Sequence, residues 1–211
     1  MSARRVALVT LRGSLARAEV EQVADALARA GLAAPGALRS HAALHLPGSI
    51  GGGDLTWDVL FESAARAADP PALGALQASV AQVETAVVDP IQRRVAMPAL
   101  AGVKRTLLLR VSPSADPARV AAFERDMLEM PRYVPAIRNW SFARATGSAW
   151  THVWEQEFET VEGLVEDYML SPYHWGLVDG WFDVECPQCV VEPRLAHVYG
   201  NARESVLAWT D

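Results

Sequence analysis

Cysteine is nearly absent: the chain has two in 211 residues, together in CPQC at 186–189. A single C-x-x-C without a second pair makes neither a zinc knuckle nor a disulfide framework. His174 and His197 could complete a four-ligand set, but their spacing fits no familiar metal pattern, so no metal is expected. No strand–CxxC–helix context surrounds the pair, which argues against thioredoxin-type redox chemistry and leaves two ordinary loop thiols. Long apolar runs are missing too, and nothing reaches the length of a membrane-spanning helix. MSARRVALVTLRG has only a short apolar run, interrupted by Arg12, and reads as a first strand and not a signal peptide. A cytoplasmic protein without a membrane partner is the expectation. Basic excess is absent: the net charge is −6, and residues 101–211 hold ten basic against sixteen acidic side chains. Phosphate binding needs a basic face, so no nucleic acid is expected as partner. GSIGGGD lies in a predicted hairpin and not between a strand and a helix, so it is no phosphate loop. A G-x-S-x-G elbow and a haem-attachment sequence are also missing. No cofactor is therefore expected.

What is present is an ordinary globular composition, about half apolar, long enough for one large or two small cores. It is unevenly spread, since six of the seven tryptophans fall in the second half. The chain also resembles itself. RRVALVTLRG near residue 5 matches KRTLLLRVSP near residue 105. GALRSHAAL (36–44) matches PAIRNWSFA (135–143), and LTWDVLFES (55–63) matches HVWEQEFET (152–160). Three blocks in the same order, each roughly a hundred residues apart, point to a duplication.

Periodicity gives both halves one element order. A strand (6–12; 106–111) leads into an amphipathic helix, LARAEVEQVADALARAG or DPARVAAFERDMLEMP. Asp116-Pro117 is a good helix start and Gly31 a good stop. Two strands follow, joined by glycine-rich turns at 47–54 and 145–149. A second helix is predicted from Asp69-Pro70-Pro71 and from Thr160, and a last strand near Gln92–Met97 and Leu195–Tyr199. The fold class is α+β: two ferredoxin-like β-α-β-β-α-β units, 1–100 and 101–211, with helices on one sheet face. Each unit leaves its other sheet face bare, so the two are expected to pack those faces together as an eight-stranded α+β barrel. That gives a monomeric pseudo-dimer, or a homodimer of such chains.

DYMLSPYHWG (167–176) carries the chemistry. An imidazole titrates near neutrality and takes a proton α to a carbonyl at physiological pH. The developing oxyanion needs a donor, and a tyrosine hydroxyl in a dry pocket supplies one. Pro172 breaks the helix, so Tyr168 and His174 need not obey helical spacing. His41 and His45 are expected at the surface or in the hairpin, and Glu155 and Glu157 on an exposed strand edge. The first copy has Leu55 in place of His152 and no Tyr-Pro-His, so any site belongs to the second half.

VKRTLLLRV, VPAIRNWSFAR, WTHVWEQEFET and VEGLVEDYMLSPYHWGL together resemble the stress-responsive A/B barrel (Dabb) domains of the dimeric α+β barrel superfamily. The resemblance covers roughly residues 102–200, with the first half a diverged second copy. It implies the fold above and, by likeness to a plant polyketide cyclase of that family, a catalytic base at His174. It further implies a carbonyl-binding hydroxyl at Tyr168 and a pocket histidine at His152. Arg105 stands where that cyclase has a first-strand histidine. The candidate substrate-binding residues are His152, Arg105, Trp154 and Trp175, although Trp154 has a counterpart in Trp57 that also suits a structural place. The leading expectation is a cofactor-independent lyase or cyclase acting through an enolate on an aromatic or polyketide-type small molecule. The alternatives are a cofactor-free monooxygenase, with His174 deprotonating a phenol, and a small-molecule-binding stress protein without turnover.

Overall fold

The structure, a computed structural model, describes residues 2–69 and 71–209. Its first half runs β1 (Ala3–Leu11), α1 (Arg17–Leu32), β2 (Ala37–Leu44), β3 (Leu55–Phe61), α2 (Ala64–Ala68) and β4 (Val80–Val95). The second half repeats the strands as β5 (Gly102–Val111), β6 (Asn139–Thr146), β7 (His152–Phe158) and β8 (Val191–Ala202), with α3 (Pro117–Tyr133) after β5. Between β7 and β8 lie π-helical turns Gly163–Tyr168 and His174–Val178.

All eight strands form one curled antiparallel sheet, in the order β2-β3-β1-β4-β6-β7-β5-β8. Each half contributes four neighbouring strands. The halves join where β4 pairs with β6, and bridges His45–Gly200 and Ile50–His197 tie the end of β2 to β8. The expected faces of packing are thus present, but the barrel is one continuous sheet and not two. Strand alternation sends one residue set outward to the helices and the next inward. Outward, α1 covers Val9, Leu55, Trp57 and Phe61, while α3 covers Leu107, Phe142, Trp154 and Phe158. Inward, Val6, Leu8, Leu108, Val153 and Val198 from both halves meet in one core.

That interior is less apolar than expected. Arg4 and Asp58 from the first half meet Lys104 and Glu155 from the second. Lys104 Nζ lies 2.9 Å from Asp58 and 2.8 Å from Glu155, and Arg4 bonds both carboxylates. Glu155 and Glu157 are therefore not on an exposed edge; they are fully buried, because β7 runs between β5 and β6. Glu157 holds the C-terminal segment, accepting from Ser205 Oγ at 2.5 Å and from Leu207 N at 3.0 Å. Burial alone would push the Glu155 carboxyl up, but Arg4 and Lys104 hold it down at about 2.

Other expectations change with tertiary context. The second helix of the first half, expected from Asp69-Pro70-Pro71, begins at a stretch whose Pro70 is outside the described residues. Among the described residues, that connection holds the five-residue α2 and a 3-10 turn, Gly74–Ala78. The end of the expected helix, with Val80 and Val83, belongs instead to the long strand β4, where β1 offers a complete ladder. Gly31 does not stop α1, which continues to Leu32. Its role is close packing: a Cβ there would sit 2.3 Å from Ser40 Oγ and 2.8 Å from Trp57 Nε1. His41, in β2, and His45, in the hairpin connection that follows it, are half-buried; His45 contacts Thr56 Oγ1 at 2.8 Å and Gly53 O at 3.0 Å. Among the described residues no helix is long and apolar enough to cross a membrane.

Candidate active site

The site forms on the outer sheet face of the second half, where the connection from β7 to β8 folds over β5. In the first π-helical turn the extra residue per turn is visible in Met169 N donating to Leu164 O at 3.0 Å. The turn ends on Tyr168, whose ring packs edge-on against Phe158. Ser171 and Pro172 then break the helix as the sequence suggests. Pro172 needs no N–H at the restart, and Ser171 accepts from the backbone N–H of Tyr173 and His174. The restart places His174 beside Tyr168, with ring centroids 4.7 Å apart in a T-shaped contact.

Arg105 rises from β5 beneath them, its guanidinium 4.8 Å from the centre of the Tyr168 ring. Its Nη1 donates to Gln156 Oε1 at 2.8 Å, and its Nε donates to His197 Nε2 at 2.6 Å. Since His197 accepts through Nε2, its own proton sits on Nδ1. Arg105, Tyr168, His174, His197 and Asp179 line a cavity of about 190 Å³ whose remaining walls are apolar, including Leu107, Met127, Val178, Phe182 and Leu195.

Electrostatics sets the protonation states. Burial, and next the Arg105 charge, push His174 down to about 4, so it is a neutral base at physiological pH. Burial, then Arg105 and His174, push His197 lower, to about 2. Burial raises the Tyr168 hydroxyl to about 12, against the pull of Arg105, so it stays a donor. Asp179 Oδ1 approaches His174 Nδ1 at 3.5 Å, but the buried Nδ1 makes no hydrogen bond there.

The structure thus brings together Tyr168, His174 and Arg105 from the sequence candidates. Three others lie outside the cavity lining. His152, at the far end of β7, contacts Thr151 Oγ1 and Glu124 Oε1 and stacks on Phe142. Trp154 is buried in the helix–sheet core against Trp140 and Phe142. Trp175 is 62% exposed and donates to Leu170 O. Sequence reasoning missed Gln156 and Asp179, and weighed His197 only as a metal ligand. The signal for Gln156 and His197 is register: Arg105 pairs with Gln156, and Leu107 pairs with His197, on the same outward face. Among the described residues no three His, Cys, Asp or Glu side chains gather to hold a metal ion. Cys186 and Cys189 are free thiols bridged by a backbone turn.

Residues 103–191, which carry every one of these cavity groups but His197, Leu195 and Ile50, match the family model described as Stress responsive A/B Barrel Domain. The second half of the chain is thus similar to stress-responsive A/B barrel domains. No curated protein matches the sequence. Solved structures match nearly the whole chain in fold. An anthrone oxidase-like protein aligns with a TM-score of 0.67 at 10% identity, over 95% of this chain and 91% of its own. A suspected monooxygenase from Fusobacterium nucleatum gives 0.57 at 8%, over 97% and 96%. Chlorite dismutase from Candidatus Nitrospira defluvii gives 0.54 at 10%, over 98% and 93%. At such identities the likeness is one of fold. Proteins with different names share this barrel, so the cavity residues themselves must carry the functional argument.

Proposed function

We propose that the chain is an enzyme that removes a proton from a small carbonyl or phenolic compound, with His174 as base and Tyr168 as donor to the resulting oxyanion. The observation that carries this reading is the pair itself: a neutral imidazole beside a protonated phenol in an apolar cavity, above a buried cation. His174 takes the proton from a carbon α to the carbonyl, and the electron pair moves to the carbonyl oxygen. Tyr168 O–H bonds that oxygen, and the Arg105 charge stabilises the anion in a low-dielectric site. In an aldol-type cyclase the enolate carbon then attacks a second carbonyl, and the imidazolium returns its proton to the new alkoxide. A lyase runs the reverse: His174 takes the hydroxyl proton, the carbon–carbon bond breaks to leave a carbonyl and an enolate, and the imidazolium protonates the enolate carbon. No oxidant or cofactor is required for that balance.

A second reading keeps the first step and changes the next. The carbanion adds molecular oxygen, the peroxide anion takes its proton back from the His174 imidazolium, and the hydroperoxide loses water, with the second hydrogen of that carbon, to leave a new carbonyl. The fold's likeness to a suspected monooxygenase and an anthrone oxidase-like protein supports it, as does a largely apolar lining in which an apolar co-substrate fits.

The test is deuterium uptake from heavy water at carbons α to carbonyls, over a panel of aryl ketones and β-diketones. Wild type is expected to exchange, and His174→Ala to lose roughly 10²–10⁴-fold of the rate. Exchange unchanged in His174→Ala would remove that residue from the mechanism. Oxygen consumption during turnover separates the two branches.

A further inference from the structure

Arg5 and Arg105 hold equivalent places in the two halves. Arg5 faces Val59 on β3 and Val87 on β4, and Arg105 faces Gln156 on β7 and Tyr199 on β8. Their surroundings differ. Arg5 is tied off by the C-terminal end of α2: its Nε donates to Ala67 O at 2.6 Å and its Nη2 to Ala68 O at 2.5 Å. Its Nη1 reaches Thr85 Oγ1 at 3.3 Å. Arg105 meets no helix end. Its Nε and Nη1 use two neutral acceptors, His197 and Gln156, and among the described residues its Nη2 makes no hydrogen bond. No carboxylate among the described residues comes within ion-pair distance of it. A guanidinium keeps its charge when buried, and burial with neutral acceptors alone leaves a desolvation cost that an anion would offset.

We propose that the cavity takes a small monoanionic carboxylate that also bears the reacting carbonyl, an oxo acid or a keto-substituted aromatic acid, with its carboxylate docked on Arg105. The carbonyl half rests on the proton-transfer reading of Tyr168 and His174; the carboxylate half rests on Arg105. A single charge fits because Arg105 is the one Lys or Arg in the lining, and Asp179 in the same wall repels a second negative charge. One ring fits because a cavity of about 150 Å³ accommodates benzene, and this one has about 190 Å³.

Docking also prepares the base. His174 is faced by Arg105, Tyr168, His197 and Asp179. A carboxylate on Arg105 offsets the positive charge that, after burial, holds His174 low. The imidazole therefore becomes a stronger base when the substrate is in place, and stays weak in the empty cavity.

The experiment is calorimetric titration at pH 7 with three acid–amide pairs: acetate and acetamide, benzoate and benzamide, 4-acetylbenzoate and 4-acetylbenzamide. In wild type the aromatic acids are expected to bind roughly tenfold or more tightly than their amides. The preference should vanish in Arg105→Gln and survive in part in Arg105→Lys, with folding of both verified by circular dichroism. A readout on the wild type alone guards against an unfolded variant. The imidazole NMR signal of His174, assigned by its loss in His174→Ala, should titrate at higher pH with benzoate and not with benzamide. Equal binding of acid and amide in every pair overturns the proposal, and a preference that survives Arg105→Gln overturns its assignment to that residue. Deuterium uptake at the acetyl group of the 4-acetyl pair separates the two ideas. A preference for the acid without uptake keeps the anchor and sinks the proton transfer. Equal binding with uptake in both does the reverse.

Discussion

The two halves share strand order, register and even the arginine on their first strands, and a cavity of about 190 Å³ opens beside each arginine, yet among the described residues only the second-half cavity is lined by a tyrosine and histidines. In the first half a short helix ends over Arg5 and fills its donors with backbone carbonyls. In the second, the corresponding connection is longer, broken at Ser171-Pro172, and lays Tyr168 and His174 over Arg105. Thr85 and His197 are likewise equivalent, through their pairing with Ala7 and Leu107. What converts a structural arginine into a candidate binding group is thus not the strand that carries it but the segment that crosses it.

The interior is where the halves are alike, and breaking it should have the largest effect. Arg4 and Asp58 repeat as Lys104 and Glu155, with each cation bonded to both carboxylates. Glu155→Ala leaves two buried cations sharing one carboxylate, and is expected to cost ~3–5 kcal/mol in a urea titration. Lys104→Met with Glu155→Leu removes one charge of each sign, leaves Arg4 with Asp58, and should recover most of that loss. A double variant no more stable than Glu155→Ala would show that the four charges do not act as pairs.

Next in size is a contrast between the halves. Tyr168→Phe keeps the ring over Arg105 and removes only the hydroxyl, so the exchange rate should fall by roughly 10²–10³-fold. Thr85→Ala, in the first-half position equivalent to His197, should leave that rate unchanged. If both variants slowed exchange alike, the division of labour between the halves would be wrong.

How much of this was legible in the sequence follows from how local each signal is. Strand alternation, the Asp116-Pro117 helix start and the Pro172 break are local, and they place the elements and the Tyr168–His174 pair. Arg105 came from its place in a resembling strand. Gln156 and His197 join it through register, which no short stretch encodes. Glu155 and Glu157 read as a solvated edge because alternating charge is what such an edge shows. Only distant partners make burial tolerable: Arg4 and Lys104 for Glu155, and Asn139, Ser205 and the Leu207 N–H for Glu157. His152 and Trp154 sit on the right strand and the right face, but nearer the far end of β7, where α3 covers them. Val80 and Val83 read as helix beside alanines, and the open ladder of β1 made them strand.

A smaller and more diagnostic effect is the pH profile. The proposed base, His174, would act only when neutral, and burial with Arg105 lowers its folded value from 6.5 to about 4. The profile of kcat/KM should therefore rise through about pH 4 and stay flat across neutrality. Fold stability has the same sign. A lowered folded value means the His174 contribution is complete above its unfolded value of 6.5 and is lost as pH falls toward 4. Arg105→Gln removes one of the two influences and should move the acid limb of exchange upward. A limb near 6.5 in wild type would mean that His174 is neither buried nor faced by the guanidinium.

The smallest expected effect comes from the two long helices, which occupy equivalent places but begin differently. Asp116 caps α3, accepting from Ala118 N at 2.9 Å and Arg119 N at 3.3 Å, with Pro117 at the first helical position. At α1 the same position is Ala16, whose side chain can accept nothing; only Glu19 reaches back, taking the Ala16 N–H at 2.7 Å. The Ala16 backbone is already extended, at φ −68° and ψ 152°, as a capping residue requires. Asp116→Ala should cost about 1 kcal/mol, and Ala16→Ser should gain up to about the same, both read as urea midpoints at constant slope. The two changes lie in different halves and share no partner, so they should add, leaving the double variant close to wild type. Failure to add would mean that the helices communicate through the barrel, and that its two halves do not bear local changes independently.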